Sequence, residues 1–103
     1  MAVKIIIERS MSPDNQAEVA ELLMDLRAKA MHHPGYVSGE TLFSVDRPGT
    51  HVVISTWDSL REWKDWEKDT NRTTIVSKIE ALLSAPSKVA VFVTTPRSIA
   101  EGV

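Results

Sequence analysis

Three kinds of side chain in this sequence could do chemistry. Histidines stand at 32, 33 and 51, carboxylates interrupt apolar stretches at Glu8 and Glu40, and the indoles Trp57, Trp63 and Trp66 crowd together. A histidine or carboxylate held against an apolar wall can act as a general base, and indoles supply such a wall. His32 and His33 lie about 100° apart on a helix, so they do not face one site together. His33 falls at a helix end, where an imidazole steadies terminal carbonyls or serves a site, and it is one candidate catalytic base. His51 reads as the partner of Asp46 at a hairpin tip. Glu8 closes the run Val3 to Ile7. As a strand-end charge it reaches water; under a cover it is the second candidate base. No His or carboxylate spacing is that of a metal site. Cysteine is absent, which excludes disulfides, thiolate nucleophiles and sulfur-ligated zinc.

These residues must be placed by a small number of elements. Val3 to Glu8 is short and isoleucine-rich and reads as a strand. Ser12-Pro13-Asp14-Asn15 starts a helix: serine can cap, proline fits the first turn and Asp14 complements the positive end. Val19, Leu22, Leu23, Leu26 and Ala30 then recur at helical spacing. His33-Pro34-Gly35 stops that helix, because the residue before proline is pushed out of helical geometry. Tyr36 to Val45 and His51 to Trp57 are extended runs joined through Pro48-Gly49, the signature of a type II turn. A helical region opens at Trp57-Asp58-Ser59 with Leu60, Trp63 and Trp66 on one arc. Its apolar phase lapses over Thr70 to Thr74 and resumes at Ile75, Ile79, Leu82 and Leu83, so it is two helices or one broken one, ended by Pro86. Val89 to Thr94 is a last strand, stopped by Pro96.

The order β-α-β-β-α-β is the ferredoxin-like one, an α+β fold with a four-stranded antiparallel sheet and helices on one face. It predicts a single domain over residues 1–96 and a tail, 97–103, too poor in apolar surface to order itself. Strands of a sheet covered on one side should alternate apolar and polar. Ile5-Ile6-Ile7, Val52-Val53-Ile54 and Val89 to Val93 are instead apolar at both parities, so the second face also needs a cover. A second copy of the chain is the simplest cover; a lipid or other apolar ligand on a monomer is the rival. With Pro48-Gly49 as a two-residue tip, Val45, Val52, Phe43 and Ile54 would pack on the helices. Ser44, Val53, Leu42, Ser55, Glu40 and Trp57 would then line a covered, half-polar cavity. A slip of one residue exchanges the two sets. Trp66, at the edge of its helix's apolar arc, either lines that pocket or caps the core. Asn71 and Arg72, in the phase lapse, could reach its mouth or simply meet solvent.

Composition bounds the rest. The 103 residues are 43% apolar and 25% charged, with a formal charge of -2, the balance of an ordinary globular protein. That charge gives neither nucleic acid nor an anionic membrane a reason to bind. No apolar stretch approaches the roughly 20 residues of a spanning helix, and Lys4, Glu8 and Arg9 break up any signal-peptide pattern. A cytoplasmic location is expected.

Two stretches carry a resemblance. Pro34-Gly35-Tyr36-Val37-Ser38-Gly39-Glu40 after the first helix, and Val53-Ile54-Ser55-Thr56-Trp57-Asp58-Ser59 opening the second region, resemble the antibiotic biosynthesis monooxygenase family. Leu60, Trp63 to Trp66 and the late strand after Pro86 fit too. The resemblance covers about residues 2–95. It implies a homodimeric α/β barrel with a cavity between sheet and helices, and monooxygenation of quinol-type or polyketide phenols by dioxygen with no cofactor and no metal. Such chemistry asks for an apolar pocket, a base to ionise the substrate and donors to steady the anion. The expected roles are Glu8 and His33 as base, and Glu40, Leu42, Ser55, Trp57, Trp66 and Asn71 around a small aromatic ligand.

Other members of that family bind and cleave haem, through an asparagine late in the first strand, a tryptophan in the second helical region and a histidine further on. Trp66 matches the tryptophan. The first strand has no asparagine and Ile75 to Lys78 no histidine, so haem binding is the weaker alternative. The runner-up to the oxygenase is a non-catalytic ligand-binding or stress-associated domain of the same fold.

Overall fold

The computed structural model describes residues 1–94. Pro96 and the expected tail 97–103 lie outside them. The elements run β1 (Val3–Ser10), a 3-10 turn at Pro13–Asn15, α1 (Gln16–Ala30), β2 (Tyr36–Phe43), β3 (Thr50–Trp57), α2 (Leu60–Glu67), α3 (Thr70–Glu80) and β4 (Lys88–Val93). The strands form one antiparallel sheet in the order β2-β3-β1-β4, and the three helices share one face of it. This is the ferredoxin-like arrangement, with the second helical region split in two. Ser59 caps α2, its Oγ accepting from the Glu62 N–H at 3.2 Å. Asp69 caps α3, its carboxylate accepting from the Asn71 N–H at 2.8 Å. A cap side chain satisfies an otherwise orphaned amide, so the Asp69 cap starts a new helix inside the lapse of apolar phase. The helix ends at Glu80 rather than at Pro86, and Leu82 and Leu83 pack on the core from the turn that follows.

Alternation along β1 buries Val3, Ile5, Ile7 and Arg9 and leaves Lys4, Ile6 and Glu8 on the other face. Two apolar clusters lie under the helices. Val3, Ile5, Ile7, Ala30, Trp57, Trp63 and Trp66 form the first, and Met11, Val19, Ile75 and Ile79 the second. The α1 stripe supplies Val19 and Ala30 to them, as its spacing predicts.

The hairpin corrects the expected register. The type II turn is present, closed by the Thr50 N–H on the Arg47 carbonyl at 3.1 Å, with Gly49 at φ +86°. A Cβ on Gly49 would also strike the Met11 carbonyl oxygen, so glycine is required twice over. The strands do not run straight back from this turn. The Ser44 hydroxyl accepts from the Arg47 N–H at 2.9 Å, closing a second turn that lifts Val45 out to 93% exposure. Pairing begins at Phe43 with His51 and continues Leu42 with Val52, Thr41 with Val53, Glu40 with Ile54 and Gly39 with Ser55. Val52 and Ile54 therefore leave the helix side for the open face, and Leu42 and Glu40 go with them. Val53, Ser55 and Trp57 face the helices. A side-chain hydroxyl that stabilises a local turn has moved the register by three residues.

Candidate functional site

The helices do not close over β2. A cleft remains between α1, β2 and β3, with two connected parts that share Leu23, Arg27 and Thr41 in their walls. The inner part is a cavity of about 90 Å3 between Ile7, Leu26, Tyr36, Ser55 and the three tryptophans, floored by Arg9 and Arg72. The outer part is a groove of about 650 Å3 along α1, reaching Met24, Phe43 and His51. Across the cleft the Arg27 Nη2 donates to the Gly39 carbonyl at 3.1 Å.

The aromatic wall follows from strand and helix geometry. Trp57 ends β3 on the helix face, while Trp63 and Trp66 sit one turn apart on the inner side of α2. The Trp57 and Trp66 rings stack at 6.1 Å, and Trp57 meets Trp63 edge-on at 5.9 Å. Tyr36 joins them, its ring 5.4 Å from that of Trp57. A bulge at Val37 puts Tyr36 on the same face as Gly39, since one extra residue reverses strand parity. A Cβ on Gly39 would lie 2.7 Å from the Tyr36 hydroxyl, so the missing side chain makes room for the ring. The Trp57 N–H donates to Ser55 Oγ at 3.2 Å, whereas the buried Trp63 N–H has no acceptor among the described residues.

Two charged residues lie in the floor. Arg9 is 2% exposed and Arg72 8% exposed, and among the described residues neither forms an ion pair within 4.0 Å. The Arg9 Nε has no hydrogen-bond partner. Arg72 donates once, to the Glu67 carbonyl at 3.2 Å, and lies 5.1 Å over the Trp63 ring. Glu80 is near enough for its field to be felt by both, but its oxygens accept from the Ser87 N–H and hydroxyl. Burial, then the neighbouring Arg72 charge, lowers the Arg9 guanidinium from its ordinary value to about 10; it stays charged at neutral pH. Burial is also the main force lowering Arg72. His51 is the cross-strand partner of Arg9, 3% exposed, with Nε2 unpaired. Burial, and then Arg9, push its pKa down to about 4, so it is a neutral imidazole.

The expected site residues divide. Ser55, Trp57 and Trp66 line the inner cavity together. Glu40 borders it from an exposed position whose strand parity belongs to the open face. Leu42 is on the open face and Asn71 is exposed at the start of α3; neither lines the cleft. Glu8 points to the open face, where its oxygens lie 3.4 Å from Arg47 and 3.9 Å from Lys88. His33 packs on the rings of Trp66 and Trp57, with Nε2 3.9 Å from the Asp69 carboxylate, outside the cavity lining. His51 is buried beside Arg9 rather than paired with Asp46 at the surface. The residues missed were Arg9, Trp63 and Tyr36, and Arg72, expected at the pocket mouth or in solvent, lines the inner cavity. Arg9 continues the buried parity of Val3, Ile5 and Ile7, and Arg72 is in helical phase with Ile75 and Ile79. That phase was the available signal.

The antibiotic biosynthesis monooxygenase family model matches residues 2–77. The chain belongs to this family. Its fold is also that of several solved members and relatives. A conserved protein from Methanosarcina mazei is 10% identical, covering 92% of this chain and 94% of its own, with a TM-score of 0.87. A Mycobacterium tuberculosis protein is 19% identical over 93% and 97% of the two chains, with a TM-score of 0.84. SnoaB of Streptomyces nogalater, described as a cofactor-independent oxygenase, is 17% identical over 92% and 94% in a mutant form, with a TM-score of 0.82. No functionally curated protein matches in sequence. Within the family fold, the cavity-facing end of β1 is Arg9, and Ile75 to Lys78 of α3 has no histidine. Among the described residues no group of three or more His, Cys, Asp or Glu could hold a metal ion, and no helix is long and apolar enough to cross a membrane.

Proposed function

We propose that this chain is a cytoplasmic, homodimeric, cofactor-independent monooxygenase for a small aromatic or quinol-like molecule bound in the cleft between α1 and the sheet. The observation that carries the reading is an indole-walled cavity that holds unspent hydrogen-bond donors. Flat apolar walls favour a planar ring, and donors without acceptors favour a substrate that brings a negative oxygen. Ionised, an electron-rich phenol passes one electron to dioxygen. The radical pair closes as a hydroperoxide on a free ring carbon, and loss of water leaves a quinone. One oxygen atom enters the product, the other leaves as water, and the phenol supplies the electrons. The chain's part is to hold the ring against Trp57 and Trp66, to keep water out and to steady the oxyanion with the Trp63 N–H and the Tyr36 and Ser55 hydroxyls.

The dimer is supported by the face opposite the helices. Ile6, Val52 and Ile54 are half-buried there, and Leu42 and Phe92 exposed, an apolar surface that a second sheet would cover. Light scattering for mass, then oxygen uptake with a panel of hydroquinones, tests both parts. A mass of two chains with protein-dependent uptake, lost in Trp66→Ala, is expected. A dimer that quenches its tryptophan fluorescence with the panel but consumes no oxygen would replace the enzyme with a binding domain. A monomer would sink the covered-face argument.

A further inference from the structure

The cleft has an acid problem to solve and lacks the usual means. An oxygenase of this kind must ionise its substrate, yet the strand-end carboxylate Glu8 faces away, spent on Arg47 and Lys88. Glu40 only borders the cavity from an exposed position. His51, held neutral down to about pH 4, is a weak base. What the floor offers instead is positive charge in excess: Arg9 and Arg72, both more than nine-tenths buried, with no carboxylate in ion-pair contact among the described residues.

From this arrangement, and resting on the oxygenase reading of the same cleft, we infer that Arg9 and Arg72 form an anion subsite, and that the ligand is an aromatic acid: a ring carrying a carboxylate, or a phenol acidic enough to enter as its phenolate. A guanidinium out of water is costly when carboxylates act on it only from beyond ion-pair distance, as Glu80 does on both arginines and Glu67 on Arg72, and an incoming anion offsets that cost. It gains the charge-assisted hydrogen bonds that Arg9 does not make. The subsite therefore replaces a general base: it lowers the pKa of the bound phenol by stabilising the charged form, and the proton leaves to water rather than to a side chain. Arg72, fixed over Trp63 and on the Glu67 carbonyl, is the rigid half of the pair. Arg9, with Nε free, is the half that turns to the ligand. The inner cavity is smaller than the roughly 150 Å3 that holds benzene in an engineered core. A single ring thus seats its acidic group at the floor while its far edge reaches towards the groove.

The test uses the full chain under nitrogen, where no turnover occurs. Isothermal titration compares 2,5-dihydroxybenzoate with hydroquinone, two hydroquinones that differ by a carboxylate. The carboxylate should bind more tightly by about tenfold or more, the value of a charge-assisted contact, and its advantage should shrink with added salt. Arg9→Gln and Arg72→Gln should each bring the ratio towards one, while Arg9→Lys keeps part of it; circular dichroism melts confirm that each variant is folded. A second probe, 4-nitrophenol, reports its own ionisation by absorbance. Its bound pKa should fall by about one unit in the wild type and recover in Arg9→Gln. Equal affinity for the two hydroquinones, or a bound nitrophenol that titrates as it does in water, overturns the subsite. The anion preference without oxygen uptake in air would keep the subsite and remove the oxygenase. Uptake without the preference would do the reverse.

Discussion

Adjacent residues of one strand show what the two faces of this sheet do with charge. Glu8 turns to the open face and meets Arg47 and Lys88 at partly exposed ion-pair distances. Arg9 turns to the helices and, among the described residues, has no carboxylate at ion-pair distance, Glu80 acting on it only through its field. On the open face a charge costs little, because water and counter-charges are close, and its pairing is worth correspondingly little. Under the helices burial holds a guanidinium down to about 10, and burial, with that guanidinium second, presses the neighbouring imidazole to about 4. Folding alone would favour an apolar residue at position 9. A buried charge that stability does not explain marks the face where a ligand belongs.

The largest expected effect comes from breaking the helix face itself. Trp57 is 1% exposed and touches Tyr36, Trp63, Trp66 and His33. Trp57→Ala should cost about 3–5 kcal/mol in denaturant unfolding. Next comes pH. The folded chain holds His51 near 4 against an ordinary 6.5, so the unfolded chain takes up that proton first. Stability should fall by up to about 3 kcal/mol as pH drops from about 6.5 to 4 and be flat in this contribution above that window. His51→Gln should flatten the fall, which thermal melts across the window would show. Arg9→Met should act oppositely to most core substitutions. It should raise stability by about 1–3 kcal/mol, because an uncompensated charge leaves the interior, and His51 should titrate closer to its ordinary range by NMR. A loss of stability in Arg9→Met would mean that the field of Glu80 compensates the guanidinium. The smallest effect belongs to the open face: Glu8→Gln should change stability by no more than about 1 kcal/mol in the same melts, and oxygen uptake should survive it.

Much of the fold was legible locally. The Pro34-Gly35 stop, the α1 stripe and the Pro48-Gly49 turn each depend on a few neighbouring residues, and each is where the spacing places it. The register between β2 and β3 was not, because it turned on whether the Ser44 hydroxyl would close an extra turn onto Arg47. That contact decided which of Glu40, Leu42, Ser55 and Trp57 share the cleft. The candidate bases were read from chemistry rather than from parity. Glu8 is a candidate base by its chemistry, while the buried series Val3, Ile5, Ile7 passes through Arg9 and leaves Glu8 on the other face. Arg72 falls in a lapse of the apolar pattern, yet it stands in phase with Ile75 and Ile79, its guanidinium over the Trp63 ring.

The sequence by itself determined the elements, their order and the indole-rich composition of one helical segment, since these follow from short-range periodicity and capping. It also determined the alternation that puts Glu8 and Arg9 on opposite sides of a strand. Only the tertiary structure decided which of those sides lies under the helices, and so which charge is stripped of water. It alone brought Arg9, Arg72, His51 and Trp63 together from four separate elements. Electrostatics in a protein interior depends on distance and on what excludes solvent, and neither is fixed until the helices have packed on the sheet.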